Sequence, residues 1–318
     1  MPEGNEIHRW AERHEAAFGG KAVRVDGPQG RFTDVDVIDG RKLRRVRAVG
    51  KHLGYDFGED RILHIHMGLR GDFTEGSGPL QEVRGALRLR MWNGAAVKKA
   101  AADGEEPKLS KRPARYSEDD GSGALEPERI AWVELRGPTD CSIYTEAKWR
   151  ELEQRLGPDP LDEASPERAL AKIQKSKKSI AALLMDQGVI AGLGNIYRAE
   201  LLYRAGVSPF LEGRAVPEDR LRTIWKDAAL LLRAGMVDRR IVTTRPEDRP
   251  SSKEKSKASK KGSSGNGGAV AEKVARDEAH YVYRRSGLPC FVCGTKIRQQ
   301  ELEGRKLYWC PRCQEGPA

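Results

Sequence analysis

Residues 188–200 read GVIAGLGNIYRAE, and this stretch decides how the second half of the chain folds. Before it, Ser179 to Gln187 has the spacing of a short helix. Asn195 to Ala205 has the spacing of another, ended by Gly206 with Pro209 beyond. Between them fall Gly188, Gly192 and Gly194. The pattern is a helix–turn–helix with a Gly-rich connector. Glycines let a backbone approach a phosphate closely, and the first amides of the second helix point at that space. Asn195 at the helix start adds a side-chain donor. Such contacts hold a phosphodiester backbone in register without reading its sequence. A helical hairpin packed on itself would carry the same glycines.

Around this stretch the chain is helical. A helix is expected from Glu146 to Leu156, then a boundary at Gly157-Pro158-Asp159-Pro160. Ser165-Pro166 reads as an N-cap with proline at the first helical position, and a further helix covers Glu218 to Ala234. Residues 242–273 are low in complexity and rich in Pro, Ser, Gly and Lys, a basic linker or loop.

Four cysteines close the chain with the spacing Cys290-x2-Cys293-x16-Cys310-x2-Cys313. Two such pairs make a tetrahedral four-thiolate zinc site, with two disulfides as the alternative that an intracellular setting disfavours. So small a ribbon has little core, and zinc would supply its folding energy. Gly294 and Gly304 suit the knuckle and the hairpin, which leaves Arg305 at the hairpin's far end. Cys141 stands alone, and a small buried apolar role is its default.

Toward the N-terminus the periodicity changes. Ile7, Trp10, His14 and Phe18 share one face of a helix from Glu3 to Phe18, stopped by Gly19-Gly20. From Ala22 the period becomes two: Val35-Val37, Leu53-Tyr55-Phe57, Leu63-Ile65-Met67, Leu87-Leu89-Met91 and Ala131-Val133-Leu135. Asp39-Gly40 and Gly58-Glu59-Asp60 mark turns. Short strands at this spacing predict an antiparallel sandwich or barrel. Residues 98–128 break the pattern and read as an exposed insertion. Gly50-Lys51-His52 places Lys51 on a hairpin loop. His64 and His66 share a strand face, and with no third ligand in sequence reach they are expected to be structural or DNA-facing rather than metal ligands.

The first residues are MPEGNEI. With Met1 removed, Pro2 becomes a secondary amine whose pKa near about 8 leaves a reactive fraction at neutral pH, able to form a Schiff base. Glu3 lies beside it, and Glu6 one helical turn on.

Composition sets the partner class. The 318 residues are enough for two cored domains, and a net charge of +10 favours a polyanion, nucleic acid first, although an anionic membrane surface has the same sign. No run reaches the ~18 apolar residues of a membrane helix. Glu3, Glu6, Arg9 and Glu12 interrupt any apolar leader, so a cytoplasmic place is expected.

In order, Pro2-Glu3-Gly4, Glu6-Ile7, Gly50-Lys51, Gly157-Pro158-Asp159, Leu184 to Glu200 and Cys290 to Gln314 together resemble the Fpg/Nei family of bifunctional DNA glycosylases across nearly the whole chain. The resemblance implies an α+β multidomain protein. An N-terminal antiparallel β-sandwich flanked by helices (1–145) would precede a helix–two-turn–helix domain (146–241), the basic linker (242–277) and a zinc ribbon (278–318) with one structural Zn2+. It implies that Pro2 attacks C1′ of a flipped damaged nucleotide in duplex DNA, that Glu3 assists sugar opening and proton transfer, and that Glu6 helps hold the sugar. Lys51, Asn195 and Arg305 match phosphate-binding positions, with Lys51 and Arg305 close enough to serve catalysis. Leu69, in HMGLRG, stands near the void-filling position and could wedge into the duplex. The expected protein is a monomer.

Two departures bear on the lesion. Asn5 replaces a proline common at its place. Where the purine-specific branch carries a DPRRFG-like segment, this chain has Arg136-Gly137-Pro138-Thr139-Asp140-Cys141. The RAE after GNIY and the GPDPLDE stretch look more like endonuclease VIII, which favours oxidised pyrimidines. A purine-directed (8-oxoguanine) enzyme, or a non-catalytic zinc-ribbon DNA-binding protein, are the alternatives.

Overall fold

The computed structural model describes residues 2–110, 125–162, 164–250 and 274–315. Residues 111–124 of the insertion expected at 98–128, and most of the basic stretch at 242–273, lie outside the described residues.

The first element is helix α1 (Gly4–Phe18), which buries Ile7, Trp10, His14 and Phe18. Strand β1 (Arg24–Asp26) and one helical turn, α2 (Val35–Ile38), follow. The next three strands are β2 (Arg45–Val49), β3 (His52–Asp56) and β4 (Ile62–His66). Further on come β5 (Asp72–Ser77), β6 (Leu89–Trp92), helix α3 (Gly94–Ala102), β7 (Lys108–Leu109), β8 (Trp132–Arg136) and β9 (Asp140–Tyr144). Two antiparallel sheets result, ordered β1-β6-β8-β5-β7 and β2-β3-β4-β9. Their inner faces meet through Leu53, Tyr55, Leu63 and Ile65 on one side and Val25, Phe73, Met91 and Leu135 on the other. This is the expected sandwich, and alternation produces it because the side-chain period of a strand is two.

Val35-Val37 does not continue the strands. Ile38 is fully buried one turn after Val35, and Asp39 accepts the Val25 N–H at 2.8 Å, so the segment folds as a turn over β1. Two valines two residues apart suit either conformation; the buried Ile38 decides.

Beyond the sandwich lie helices α4 (Glu146–Arg155), α5 (Glu167–Gln174), α6 (Ile180–Leu183), α7 (Asn195–Arg204) and α8 (Glu218–Val237). α5 starts one residue later than expected, with Pro166 as its cap, and α6 is a single turn rather than reaching Gln187. Leu184, Leu193, Tyr197, Leu201, Ile224 and Leu232 form a second core. Among the described residues no helix is long and apolar enough to cross a membrane.

The ribbon hairpin is β10 (Arg298–Leu302) and β11 (Arg305–Trp309). The hairpin and the segment before it are joined to the helical domain at several points. Leu307 enters the helical core. Glu200, fully buried, accepts the backbone N–H groups of Tyr281 at 2.7 Å, Val282 at 2.9 Å and Tyr283 at 2.8 Å.

Helix α4 seats Trp149 over β3 because Gly54 has no side chain; a Cβ there would lie 2.5 Å from the Trp149 ring. Gly54→Ala is expected to cost roughly 1–3 kcal/mol through overpacking. Urea unfolding of the two proteins checks this; a variant within a few tenths of a kcal/mol of wild type would contradict it.

Candidate nucleic-acid and catalytic site

Four segments distant in sequence meet at the N-terminus of α7. Pro2 and Glu3 are buried there. The Glu3 carboxylate accepts the backbone N–H groups of Gly194 at 2.9 Å, Ile196 at 2.9 Å and Tyr197 at 3.4 Å. The helix amides expected to face open space are therefore turned to a resident anion, as the positive end of a helix favours. Two glycines permit it. Gly4 donates to the Gly192 carbonyl at 2.8 Å, and a Cβ on Gly194 would sit 2.4 Å from the Glu3 carboxyl carbon.

The β2–β3 turn completes the junction. Gly50, at φ 56°, donates to Asp159 at 2.6 Å, and a Cβ on it would press the Ala191–Gly192 backbone. Asp159 also bonds His8 at 2.9 Å and the Leu161 N–H at 2.9 Å. Asp159 is thus the knot of GPD, joining α1, the Gly50 turn and the helical domain; in sequence it read as part of a boundary and of a family motif, with no role of its own.

Lys51, next on that turn, is 7 % exposed and has no hydrogen-bond partner among the described residues. Burial draws its ammonium from the usual value of 10.5 down to about 8; Glu3 opposes the shift, while Arg305 and Arg198 add to it. Arg305 opens β11 just past the Glu303-Gly304 turn. Lys51, Arg305 and Glu3 thus come together. Asn195 is adjacent, but its Nδ2 donates to the Lys306 carbonyl at 2.9 Å and its Oδ1 accepts from Arg198. Glu6 lies farther along α1, paired with Arg9 at 2.8 Å. Arg198, fully buried and within electrostatic reach of Glu3 and Arg305, is a site residue that sequence reasoning missed. Its signal was present in its place one turn after Asn195.

Leu69 is 56 % exposed at the β4–β5 turn. The 136–141 segment lies against that turn: a Cβ on Gly137 would touch the Arg70 carbonyl, and one on Gly68 would collide with Thr139. The Leu69 turn and the segment that stands where the purine branch carries DPRRFG are therefore neighbours.

His64 and His66 do have a third histidine beside them, although among the described residues only the four ribbon cysteines cluster closely enough to hold a metal ion. His52 lies opposite His66 on the next strand, its Nδ1 3.0 Å from His64 Nε2, and its ring 4.9 Å from that of His66. Cross-strand pairing brings residues twelve or more apart onto one face. Burial pulls His52 down to about 3 and His64 to about 4, so these are neutral rings, with Asp140 holding His64 at 2.9 Å.

The four ribbon sulfurs lie within 4.8 Å of one another, with Cys290–Cys313 at 3.9 Å and Cys293–Cys310 at 3.5 Å. Disulfides require about 2.05 Å, whereas a tetrahedron of about 2.3 Å Zn–S bonds places sulfurs about 3.8 Å apart. Gly294 takes the left-handed knuckle at φ 75°, and the Cys313 N–H points at Cys310 Sγ at 3.5 Å. The residues fit one structural zinc.

Three family models match the chain: the formamidopyrimidine-DNA glycosylase N-terminal domain over residues 1–104, the formamidopyrimidine-DNA glycosylase H2TH domain over 156–246, and the zinc finger found in FPG and IleRS over 287–316. The chain belongs to the Fpg/Nei family of bifunctional DNA glycosylases. Among its relatives, Endonuclease 8 1 of Mycobacterium tuberculosis is 37% identical over 320 residues, covering 99% of this chain and 100% of the relative. Probable endonuclease 8 2 of Streptomyces coelicolor is 28% identical over 100% of this chain and 95% of its own. The fold is shared with wild-type Lactococcus lactis FPG (MutM) in complex with an oxidised-pyrimidine-containing DNA, at TM-score 0.67 and 18% identity over 99% of this chain and 100% of that one. It is shared also with MutM (FPG) of Thermus thermophilus, at TM-score 0.62 and 23% identity over 100% of both chains.

Two expectations follow. The unfolded chain keeps the Lys51 proton up to 10.5, but the folded one releases it near 8. Between these values the unfolded state binds more protons, so stability rises with pH, and the cost of burying the charge is fully present below about 8. Lys51→Met should therefore be the more stable protein at neutral pH, with the gap closing toward pH about 10.5; a gap independent of pH in urea titrations would contradict this. For the ribbon, Cys310→Ala should lose the one bound zinc, and DNA binding and excision should fall together with little change in far-UV circular dichroism. Full activity in a zinc-free protein would overturn that expectation.

Proposed function

We propose that this glycosylase and abasic-site lyase takes a flipped oxidised pyrimidine nucleotide and attacks it through Pro2. The observation that carries this reading is the burial of Pro2 and Glu3 at the entry of α7, with Lys51, Arg198 and Arg305 within electrostatic reach. A base must leave the stack before C1′ can be reached. The Pro2 amine, free of Met1, forms a bond to C1′ as the base departs with its bonding electrons and takes up a proton. Opening of the C1′–O4′ bond leaves an iminium, and O4′ takes a proton that Glu3 is placed to relay. The iminium acidifies C2′; loss of that proton breaks the C3′–O bond, and a second elimination breaks the C5′–O bond. Water then releases Pro2.

Lys51, Asn195 and Arg305 would clamp the phosphates that flank the lesion, and Glu6 would support the sugar from α1. For the Asn195 amide to serve, it must exchange the Lys306 carbonyl for a phosphate. Leu69, exposed on its turn, would enter the gap left by the flipped nucleotide. The pyrimidine preference is supported by the 136–141 segment beside that turn, which carries no phenylalanine and whose arginine, Arg136, is paired with Glu134 at 2.6 Å. The sandwich domain (1–145) would supply the nucleophile and wedge, and the helical domain and ribbon the phosphate clamp. The place of action would be the DNA of a bacterial cytoplasm, with the protein acting as a monomer.

Borohydride trapping tests the nucleophile. Protein whose mass shows Met1 removed should become covalently joined to abasic-site duplex, and Pro2→Gly or a Met1-retaining form should not, while both still bind duplex. Full trapping with Met1 attached would sink the proposal. Across a panel of lesion duplexes, oxidised pyrimidines should be excised faster than 8-oxoguanine; the reverse order would remove the pyrimidine assignment alone.

A further inference from the structure

We propose that Arg198 is itself a phosphate-binding residue, and that a DNA phosphodiester beside the lesion completes its hydrogen bonding. This rests on the glycosylase reading and adds a residue to its clamp.

Arg198 is fully buried, yet among the described residues its Nε and Nη1 have no acceptor. Only Nη2 is engaged, by Asn195 Oδ1. Buried donors without partners are rare in folded proteins and each calls for a reason. The neighbouring groups cannot supply the acceptor. Glu3 already receives three backbone N–H groups. Asn195 spends its one oxygen on Nη2, and its nitrogen is a donor.

The charges lead to the same ligand. Lys51, Arg198 and Arg305 lie within electrostatic reach of one another, against Glu3 and Glu303. Lys51 and Arg305, like the two Arg198 nitrogens, lack a hydrogen-bond acceptor among the described residues. Three cations converging on unfilled donors describe a site built for one more anion. A guanidinium offers two parallel N–H groups, which suits two oxygens of one phosphate. Burial draws the Arg198 guanidinium from its usual 12.5 down to about 10, Glu3 and Glu303 partly oppose the shift, and Arg305 adds to it, so an added anion would stabilise the cation further. Glu303 stands exposed at the tip of the ribbon hairpin, in a left-handed turn with φ 50°. Displacement of this tip by DNA would open the way to Arg198 and exchange a carboxylate for a phosphate.

The test compares Arg198→Gln, Arg198→Lys and the full-length wild type on a duplex carrying a tetrahydrofuran abasic-site analogue, which binds without reacting. Affinity is measured across a salt series, with thermal midpoint and zinc content as controls. Arg198→Gln should melt at or above the wild-type midpoint, because a buried unsatisfied charge has gone. Its binding should weaken roughly ten- to hundredfold at low salt, and the slope of log affinity against log salt should fall by about one unit. Arg198→Lys should restore the slope but not the full affinity. A wild-type slope in Arg198→Gln would overturn the proposal, and so would a sharply lowered midpoint, which would make Arg198 a prop of the fold. Borohydride trapping of wild type on abasic DNA is read separately. If it fails, the lyase reading fails, while a changed salt slope would still place Arg198 on a phosphate.

Discussion

A single carboxylate at the start of a helix holds the two halves of this molecule in working relation. Glu3 belongs to the N-terminal segment, and its three backbone donors belong to the entry of α7. The sandwich and the helical domain each have their own core. What they share is the junction where Gly4 lies on Gly192 and Gly50 is tied to Asp159. Gly4 and Gly194 are required there because the chains approach too closely for a Cβ, and Gly50 also takes a left-handed turn. Loss of the Glu3 oxygens would leave buried amides unsatisfied, at a cost of about 1–3 kcal/mol each. The residue to which the proposal gives the proton relay is also the one that fastens the N-terminal segment to the entry of α7.

The electrostatics of the site oppose its own stability. Lys51 is buried and drawn down to about 8, and Arg198 to about 10, because desolvation and mutual repulsion outweigh the attraction of Glu3. Functional sites commonly retain such unfavourable arrangements. In the proposed reading a polyanion would resolve this one, since each phosphate oxygen would supply an acceptor and a countercharge together. The zinc ribbon has a complementary role. Its four thiolates leave no open coordination position, so the metal shapes the hairpin that presents Arg305 and closes on Asn195 through Lys306.

Much of this was legible in the sequence because it depends on local pattern. Period two in Leu53-Tyr55-Phe57 and Leu63-Ile65-Met67 places those residues in the sandwich core, and the cysteine spacing alone foretells the ribbon. What stayed hidden depends on pairing between distant segments. His52 joins His64 and His66 only through the register of β3 and β4. Asp159 becomes a knot only when the Gly50 turn reaches it, and Arg198 shows its missing partners only once α7 is packed. Val35-Val37 was misread for a related reason: a two-residue alternation carries too little information against one buried isoleucine.

The most direct measurement of the account is Glu3→Gln, which keeps the size of the side chain and removes the acid. In one preparation, excision of an oxidised pyrimidine is compared with nicking of a preformed abasic site. The account predicts that excision falls by about 10²- to 10⁴-fold, the usual worth of a positioned acid or base, while nicking by the Pro2 amine survives in substantial part. Equal loss of both activities, or retention of both, would contradict it.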